Sequence, residues 1–418
     1  MDSWHIRGGR KLEGVSFIQG SKNASLPILA ASIIAPAESS LINVPQLRDI
    51  DAALRILRHL GCTAEQRENE VYIDARGLVR SSIPHELMLE MRSSVIFMGA
   101  LLARCGEARL SPPGGCQLGK RPIDLHLKAL RALGAQIEES GGEIVCRSEG
   151  LKGTTIEFGF PSVGATENAM LAATAAQGET LIVGAAREPE IVALQEYLRK
   201  MGVEIRGAGS DRIVIAGRSA VAHARQRIVS DRIVASTLAC AVAAAGGSVE
   251  LRGVEPAHFS TLLHFLKQAG CDIISENRSV WIRSEGRLRA VEEISTEPYP
   301  GFPTDAQPVL MAALLKAEGR SVLTENIFEN RFRQVPELRR LGADIAVSGK
   351  SAEIWGVESL RGAALTATDL RGGAAMIVAG LAAEGETVIY DKGHIRRGYE
   401  RFDVRLRSLG ADIVLDIS

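Results

Sequence analysis

Leu341-Gly342-Ala343-Asp344-Ile345-Ala346-Val347 and Leu409-Gly410-Ala411-Asp412-Ile413-Val414-Leu415 are two occurrences of one phrase, in which an amphipathic helix stops at a glycine and an alternating strand begins. The same phrase stands at Leu60-Gly61-Cys62, Leu133-Gly134-Ala135, Met201-Gly202-Val203 and Ala269-Gly270-Cys271. Its glycines are 73, 68, 68, 72 and 68 residues apart, which marks internal duplication into six units of about 70 residues. Within a unit, a small-residue-rich helix such as that around Ala172-Ala173 or Ala241-Val242-Ala243 stops near a glycine. A short β-branched strand such as Thr180-Leu181-Ile182-Val183 follows, then a second helix such as His126–Leu133, then the strand after the phrase. Alternation of helix and strand predicts an α/β fold, and six units divide most simply into two lobes of three with a substrate cleft expected between them.

The whole-chain numbers agree with a folded protein and narrow its partners. The chain has 418 residues with 46% hydrophobic composition, enough to bury more than one core. Lys and Arg number 49 against 50 Asp and Glu, and aromatics make up 4%, so there is neither a basic field nor a supply of rings for nucleic acid. No stretch reaches the ~20 apolar residues of a membrane span and residues 1–9 do not read as a signal peptide, so a cytoplasmic protein without a membrane partner is expected. Six cysteines without CxxC spacing point to reduced thiols, not to a disulfide framework or a metal site.

A scaffold of repeats would keep one surface pattern in every copy, whereas these copies differ at defined places. From the glycine after the first helix to the glycine after the second, the second copy spans 28 residues, and the later ones 24, 23, 23 and 25. The excess falls in Pro112–Pro122, where Gly114, Gly115 and Gly119 flank Cys116, Lys120 and Arg121. Cations beside a thiol favour the thiolate and also suit an anionic substrate. The repeat explains the other cysteines as small buried hydrophobes: Cys62 and Cys271 share the slot of Ala135 and Val203, Cys105 and Cys240 lie in first-helix patterns, and Cys146 lies in a strand-like run.

Basic residues recur at the starts of the first helices: Lys22 with Asn23, Arg92, Arg232 and Arg371. A helix N-terminus prefers anions, so cations in these slots predict something negative held between them. The fifth copy sets Thr304-Asp305 at that start. The threonine reads as an N-cap, and the carboxylate as a candidate general base at the rim of a cationic cleft. The sixth copy adds Arg396-Arg397-Gly398-Tyr399-Glu400, paired arginines suited to phosphate or carboxylate oxygens. The eight histidines form no triad pattern, and Gly114–Arg121 lacks the Gly-Lys-Ser/Thr ending of a nucleotide-triphosphate loop.

Across its whole length the sequence resembles the UDP-N-acetylglucosamine enolpyruvyl transferases, or 1-carboxyvinyltransferases. The likeness rests on Gly20-Ser21-Lys22-Asn23-Ala24, Gly114–His126, Pro161–Asn168, Gly301–Asp305, Ile327–Phe332 and Arg397-Gly398-Tyr399-Glu400. It implies a two-lobed inside-out α/β barrel, three repeats per lobe, with residues 22–229 in the lobe carrying Cys116 and residues 1–21 and 230–418 in the other. It implies transfer of the enolpyruvyl group of phosphoenolpyruvate to the 3′-hydroxyl of UDP-N-acetylglucosamine, a step of cell-wall synthesis bearing on cell shape and division, with no cofactor and no metal. By the same resemblance Cys116 is the acid that protonates the methylene, forms a covalent adduct and is the target of fosfomycin, and Asp305 is the base. Lys22, Asn23, Arg121 and Arg397 would hold phosphoenolpyruvate, supported by Arg92 and Arg371. Asn23, Arg92, Arg121, Pro122, Ile123, Asp124, Leu125, Ser162, Val163, Gly164, Asp305 and Ile327 would contact the nucleotide sugar.

The chain departs from the family pattern at Val234 and Ser236, where Glu and Gly usually follow Asp231-Arg232-Ile233, at Gln334, often His, and at Arg396, where an acidic residue is common. The competing readings are the sister transferase acting on shikimate 3-phosphate and a paralogue without activity that binds or regulates.

Overall fold

The computed structural model describes residues 1–112, 123–217 and 222–417. These form two compact units. One, the continuous unit, takes all its described residues from the stretch 20–229. The other is discontinuous, joining residues 1–19 to residues 230–417.

Each unit contains three sheets of four strands. In the sheet Thr155–Glu157, Glu179–Val183, Arg212–Ala216, Glu204–Arg206, the first pair is parallel and the other pairs antiparallel, with Leu181 opposite Val214. Alternate residues are buried, as in Glu179–Val183, where Thr180 and Ile182 face inward. The other face of each sheet is left largely polar, so the apolar material needed to cover the inner face comes from helices.

Those helices are the small-residue-rich ones. Lys22–Ala31, Phe97–Cys105 and Val163–Ala173 pack in the continuous unit, and Arg232–Ala245, Gln307–Ala313 and Leu370–Ala382 pack on one another in the discontinuous unit. Every residue from Ile233 to Ala244 and from Arg371 to Ala382 is buried. A helix apolar all round must lie inside, and alanine and glycine let helix axes approach closely. The second helix of each repeat is amphipathic instead; in Arg48–Leu60 one face carries Ile50, Leu54, Leu57 and Leu60 into the core while Arg55 and Arg58 point outward.

The repeated glycine ends these second helices for a geometric reason. Gly61, Gly134, Gly202, Gly270, Gly342 and Gly410 all have φ between 92° and 105°, the left-handed conformation that lets the chain leave a helix and that a Cβ disfavours. The sixth repeat is closed from the other end of the chain. Its sheet runs Ala364–Thr366, Glu386–Asp391, Asp2–Arg7, Asp412–Asp416, so the first strand of the sequence is interior to the last repeat's sheet. In the continuous unit, Ala224–Arg227 likewise returns to pair in parallel with Glu38–Ile42.

Two expectations are corrected. Cys105 is exposed, because the last turn of Phe97–Cys105 emerges from the core before Gly106, whereas Cys62, Cys146, Cys240 and Cys271 are buried as expected. Burial pushes the Cys62 and Cys271 thiols up to about 11 and Cys146 up to about 12. Arg92 opens a 3-10 turn, Arg92–Ile96, ahead of the α-helix that begins at Phe97.

Candidate active site

In the continuous unit the candidate residues gather at the starts of the core helices. Ser21 caps Lys22–Ala31 by accepting the Ala24 N–H, and Ser162 caps Val163–Ala173 by accepting that of Ala165. These caps fix where Lys22, Asn23, Val163 and Gly164 stand. Lys22 is buried and its Nζ lies 3.1 Å from the buried Asp49 carboxylate.

Asn168 ties three of the other segments together. Its Oδ1 accepts the Gly99 N–H at 2.7 Å, and its Nδ2 donates to Val95 O at 3.0 Å and to His126 Nδ1 at 2.7 Å. That links the Arg92–Ile96 turn, the Val163–Ala173 helix and the Asp124–Ala132 helix. Since Nδ1 of His126 must accept, the imidazole is neutral with its proton on Nε2. Burial first, and then the charge of Arg92, lower its pKa to about 4 against the opposing pull of Asp124. Gly164 is needed here, because a Cβ on it would lie 2.9 Å from His126 Cε1. Ile123, Asp124 and Leu125 thus lie on the segment held to Ser162, Val163 and Gly164, while Cys116, Arg121 and Pro122 fall outside the described residues.

In the discontinuous unit the centre is Asp305. Its Oδ1 lies 2.8 Å from Arg331 Nη2 and 3.4 Å from Arg371 Nε. Arg331 is almost wholly buried and also donates from Nε and Nη2 to Thr304 O, at 3.1 and 3.0 Å. Thr304 is not the N-cap that its position suggested. The helix begins only at Gln307, Ala306 before it offers no side-chain acceptor, and Thr304 Oγ1 donates to Glu325 Oε2 at 2.9 Å. Buried Glu325 also accepts the N–H groups of Ile327 and Phe328 at 2.8 and 3.0 Å, so one carboxylate sets both the Asp305 turn and the Ile327 loop.

Arg371 is buried at the start of Leu370–Ala382, whose N-cap is Asp369. Burial alone would lower its pKa, but Asp305, Tyr399 and Asp231 outweigh that and leave it above its ordinary value. Arg397 lies on the 3-10 turn Ile395–Arg397, and Gln19 holds the residues after it by donating to Gly398 O at 3.3 Å and accepting the Glu400 N–H at 3.0 Å. Arg232 stacks over the Tyr299 ring, 5.6 Å from its centroid.

Three of the four departures from the family pattern are accommodated, whereas the buried Oε1 of Gln334 has no hydrogen-bond partner among the described residues. Val234 is fully buried, Ser236 donates to Arg232 O, Gln334 Nε2 lies against Met311 Sδ, and Arg396 reaches Asp2 at 3.4 Å. The premise about cations at helix starts is modified: Lys22 and Arg371 already face protein carboxylates, Asp49 and Asp305.

Residues 6–406 match the family model described as EPSP synthase (3-phosphoshikimate 1-carboxyvinyltransferase). The chain belongs to this family of carboxyvinyl transferases. Among its relatives, UDP-N-acetylglucosamine 1-carboxyvinyltransferase 2 of Caldanaerobacter subterraneus subsp. tengcongensis and UDP-N-acetylglucosamine 1-carboxyvinyltransferase of Trichlorobacter lovleyi are each 48% identical over 99% of both chains. The crystal structure of the enolpyruvyl transferase NikO from Streptomyces tendae matches with a TM-score of 0.90 at 25% identity, covering all of this chain and 99% of that one. EPSP synthase from Acinetobacter baumannii matches over all of both chains with a TM-score of 0.78 at 22% identity, a likeness of fold.

For a carboxyvinyl transferase, the two clusters contain polar residues that sequence reasoning did not single out: Asp49, His126, Asn168, Glu325, Arg331 and Asp369. His126, Asn168 and Arg331 lay inside the motifs Gly114–His126, Pro161–Asn168 and Ile327–Phe332, so their position was available. The role of Glu325 was not, since a lone glutamate after a strand carries no signal until the fold brings it to Thr304 and Ile327.

Proposed function

We propose that the chain transfers the enolpyruvyl group of phosphoenolpyruvate to the 3′-hydroxyl of UDP-N-acetylglucosamine with release of phosphate, the first committed step of peptidoglycan synthesis in the cytoplasm. The observation that carries this reading is 48% identity, over 99% of both chains, with transferases of that name. The Asp305 environment supports it. Two guanidinium groups on one carboxylate oxygen favour the ionised form, and an ionised carboxylate can take a hydroxyl proton.

The chemistry needs an acid and a base at once. As Asp305 removes the proton of the 3′-hydroxyl, the hydroxyl oxygen bonds to the central carbon of phosphoenolpyruvate, and Cys116 delivers a proton to the methylene carbon, making it a methyl group. Return of one methyl proton to the Cys116 thiolate then re-forms the double bond as the carbon–oxygen bond to phosphate breaks, and phosphate leaves with the proton that Asp305 took, which restores both groups. Lys22, Asn23, Arg121 and Arg397, with Arg92 and Arg371, balance the charge of phosphoenolpyruvate. Asn23, Arg92, residues 121–125, Ser162, Val163, Gly164 and Ile327 position the nucleotide sugar, and fosfomycin would alkylate Cys116.

The purified protein is expected to release inorganic phosphate only when phosphoenolpyruvate and UDP-N-acetylglucosamine are both present, and Asp305→Asn to lower kcat by about 100-fold or more. Release with shikimate 3-phosphate as acceptor, or none with the stated pair, would overturn the reading.

A further inference from the structure

A second layer of hydroxyl groups stands behind Arg371, within the discontinuous unit, and its hydrogen-bond polarity can be worked out atom by atom. Thr237 sits inside the Arg232–Ala245 helix, and its hydroxyl donates to Ile233 O at 2.9 Å. A threonine has one hydroxyl proton. At its 2.9 Å contact with Tyr399 Oη, Thr237 Oγ1 must therefore accept, and the phenol must donate. With its own proton committed to Thr237, Tyr399 Oη presents only lone pairs to Arg371 Nη1, 3.5 Å away. Arg371 Nε in turn lies 3.4 Å from Asp305 Oδ1 as an ion pair, beside Arg331 Nη2 at 2.8 Å from the same oxygen.

Everything around this chain restrains it. Tyr399 and Thr237 are fully buried and Arg371 nearly so, so no solvent replaces a lost partner. The Arg371 guanidinium lies 5.7 Å from the centroid of the Tyr399 ring, and Tyr399 packs on Phe402 with centroids 4.7 Å apart. Gly398 leaves the space: a Cβ there would lie 3.0 Å from both Leu370 methyl groups and 3.4 Å from Arg371 Nη1.

We propose that Tyr399 is a positioning residue for Asp305, its hydroxyl acting with Thr237 to hold the Arg371 guanidinium against the carboxylate. The functional meaning rests on the reading of Asp305 as the base that accepts the acceptor hydroxyl proton. Tyr399→Phe removes the only lone pairs that Oη offers to Nη1, and the buried guanidinium must turn to satisfy that donor. Thr237→Val works from the other side, because the phenol proton loses its acceptor and is freed toward Arg371, where it repels.

The test follows the Asp305 carboxyl directly. In full-length protein carrying ¹³C-labelled aspartate, the Asp305 carboxyl resonance is identified by its loss in Asp305→Asn and titrated by NMR in wild type, Tyr399→Phe, Thr237→Val and Thr237→Ser. Loss of a cation from its side makes a carboxylate easier to protonate, so the midpoint is expected to rise by about half a pH unit or more in Tyr399→Phe and Thr237→Val and to stay near wild type in Thr237→Ser. In turnover assays the first two variants should lower kcat by roughly tenfold and move the acidic limb of the pH profile upward by the same shift as the NMR midpoint. An unmoved midpoint in folded Tyr399→Phe and Thr237→Val protein overturns the proposal whatever their activity. Absence of wild-type turnover with phosphoenolpyruvate and UDP-N-acetylglucosamine overturns the proposed function instead and leaves the NMR comparison to decide the coupling.

Discussion

A histidine that cannot take a proton gives the molecule a pH signature. In His126, Nδ1 receives the Asn168 amide at 2.7 Å, and the native pKa is lowered to about 4 from 6.5 by burial and then by Arg92. Between those values the unfolded chain binds a proton at this position that the native protein does not. The stability associated with neutral His126 is therefore full above about pH 6.5 and lost as pH falls through about 4, a swing on the order of 3 kcal/mol. Urea denaturation at pH 7, 6 and 5 should show stability falling more steeply in wild type than in His126→Gln; parallel slopes would count against the assignment. The candidate residues divide on similar grounds. Lys22, Arg371 and Asp305 were legible from their places in the repeat, whereas Asp49, Glu325 and Thr237 were not, because each acts through a partner 27, 21 or 162 residues away.

At the scale of the element, strand Asp2–Arg7 is the piece whose importance least resembles its position. It lies between Glu386–Asp391 and Asp412–Asp416, with Trp4 and Ile6 fully buried. Ile6 Cδ1 would lie 3.2 Å from a Cβ placed on Gly380, so the side chain is fitted against the Leu370–Ala382 helix where that helix has none. Ile6→Ala is expected to destabilise the protein by about 2–4 kcal/mol in urea denaturation, as a core substitution does. A loss under about 0.5 kcal/mol, typical of a fraying terminus, would show that the strand is not an integral part of its sheet. The elements themselves were readable, since glycine punctuation and hydrophobic period mark helix ends and strand starts. The membership of each sheet was not, because parallel pairing joins strands with a helix between them and leaves no local mark.

For the molecule as a whole, the continuous unit contains everything a domain needs. Its three sheets are complete within residues 20–229, including the edge strand Ala224–Arg227, and its core draws on residues from Ala24 to Ile228. A fragment of residues 20–229 is therefore expected to fold alone, with a cooperative thermal transition and dispersed amide resonances. A fragment of residues 230–417 should not, because it lacks Asp2–Arg7 and Leu12–Phe17, which belong to two of its three sheets. A disordered 20–229 fragment, or a fully structured 230–417 fragment, would contradict this division.

By itself the sequence determined the six repeats, their punctuation and the chemistry-bearing slots, because helix ends, strand alternation and charge at helix starts are set by neighbours within a few residues. Only the tertiary structure decided that the N-terminal strand completes the last repeat and that carboxylates already face Lys22 and Arg371. It alone brought the Thr237 hydroxyl of one helix within 2.9 Å of Tyr399, 162 residues away. Those outcomes depend on which buried groups meet, and most buried polar groups are driven to partners that sequence distance does not predict.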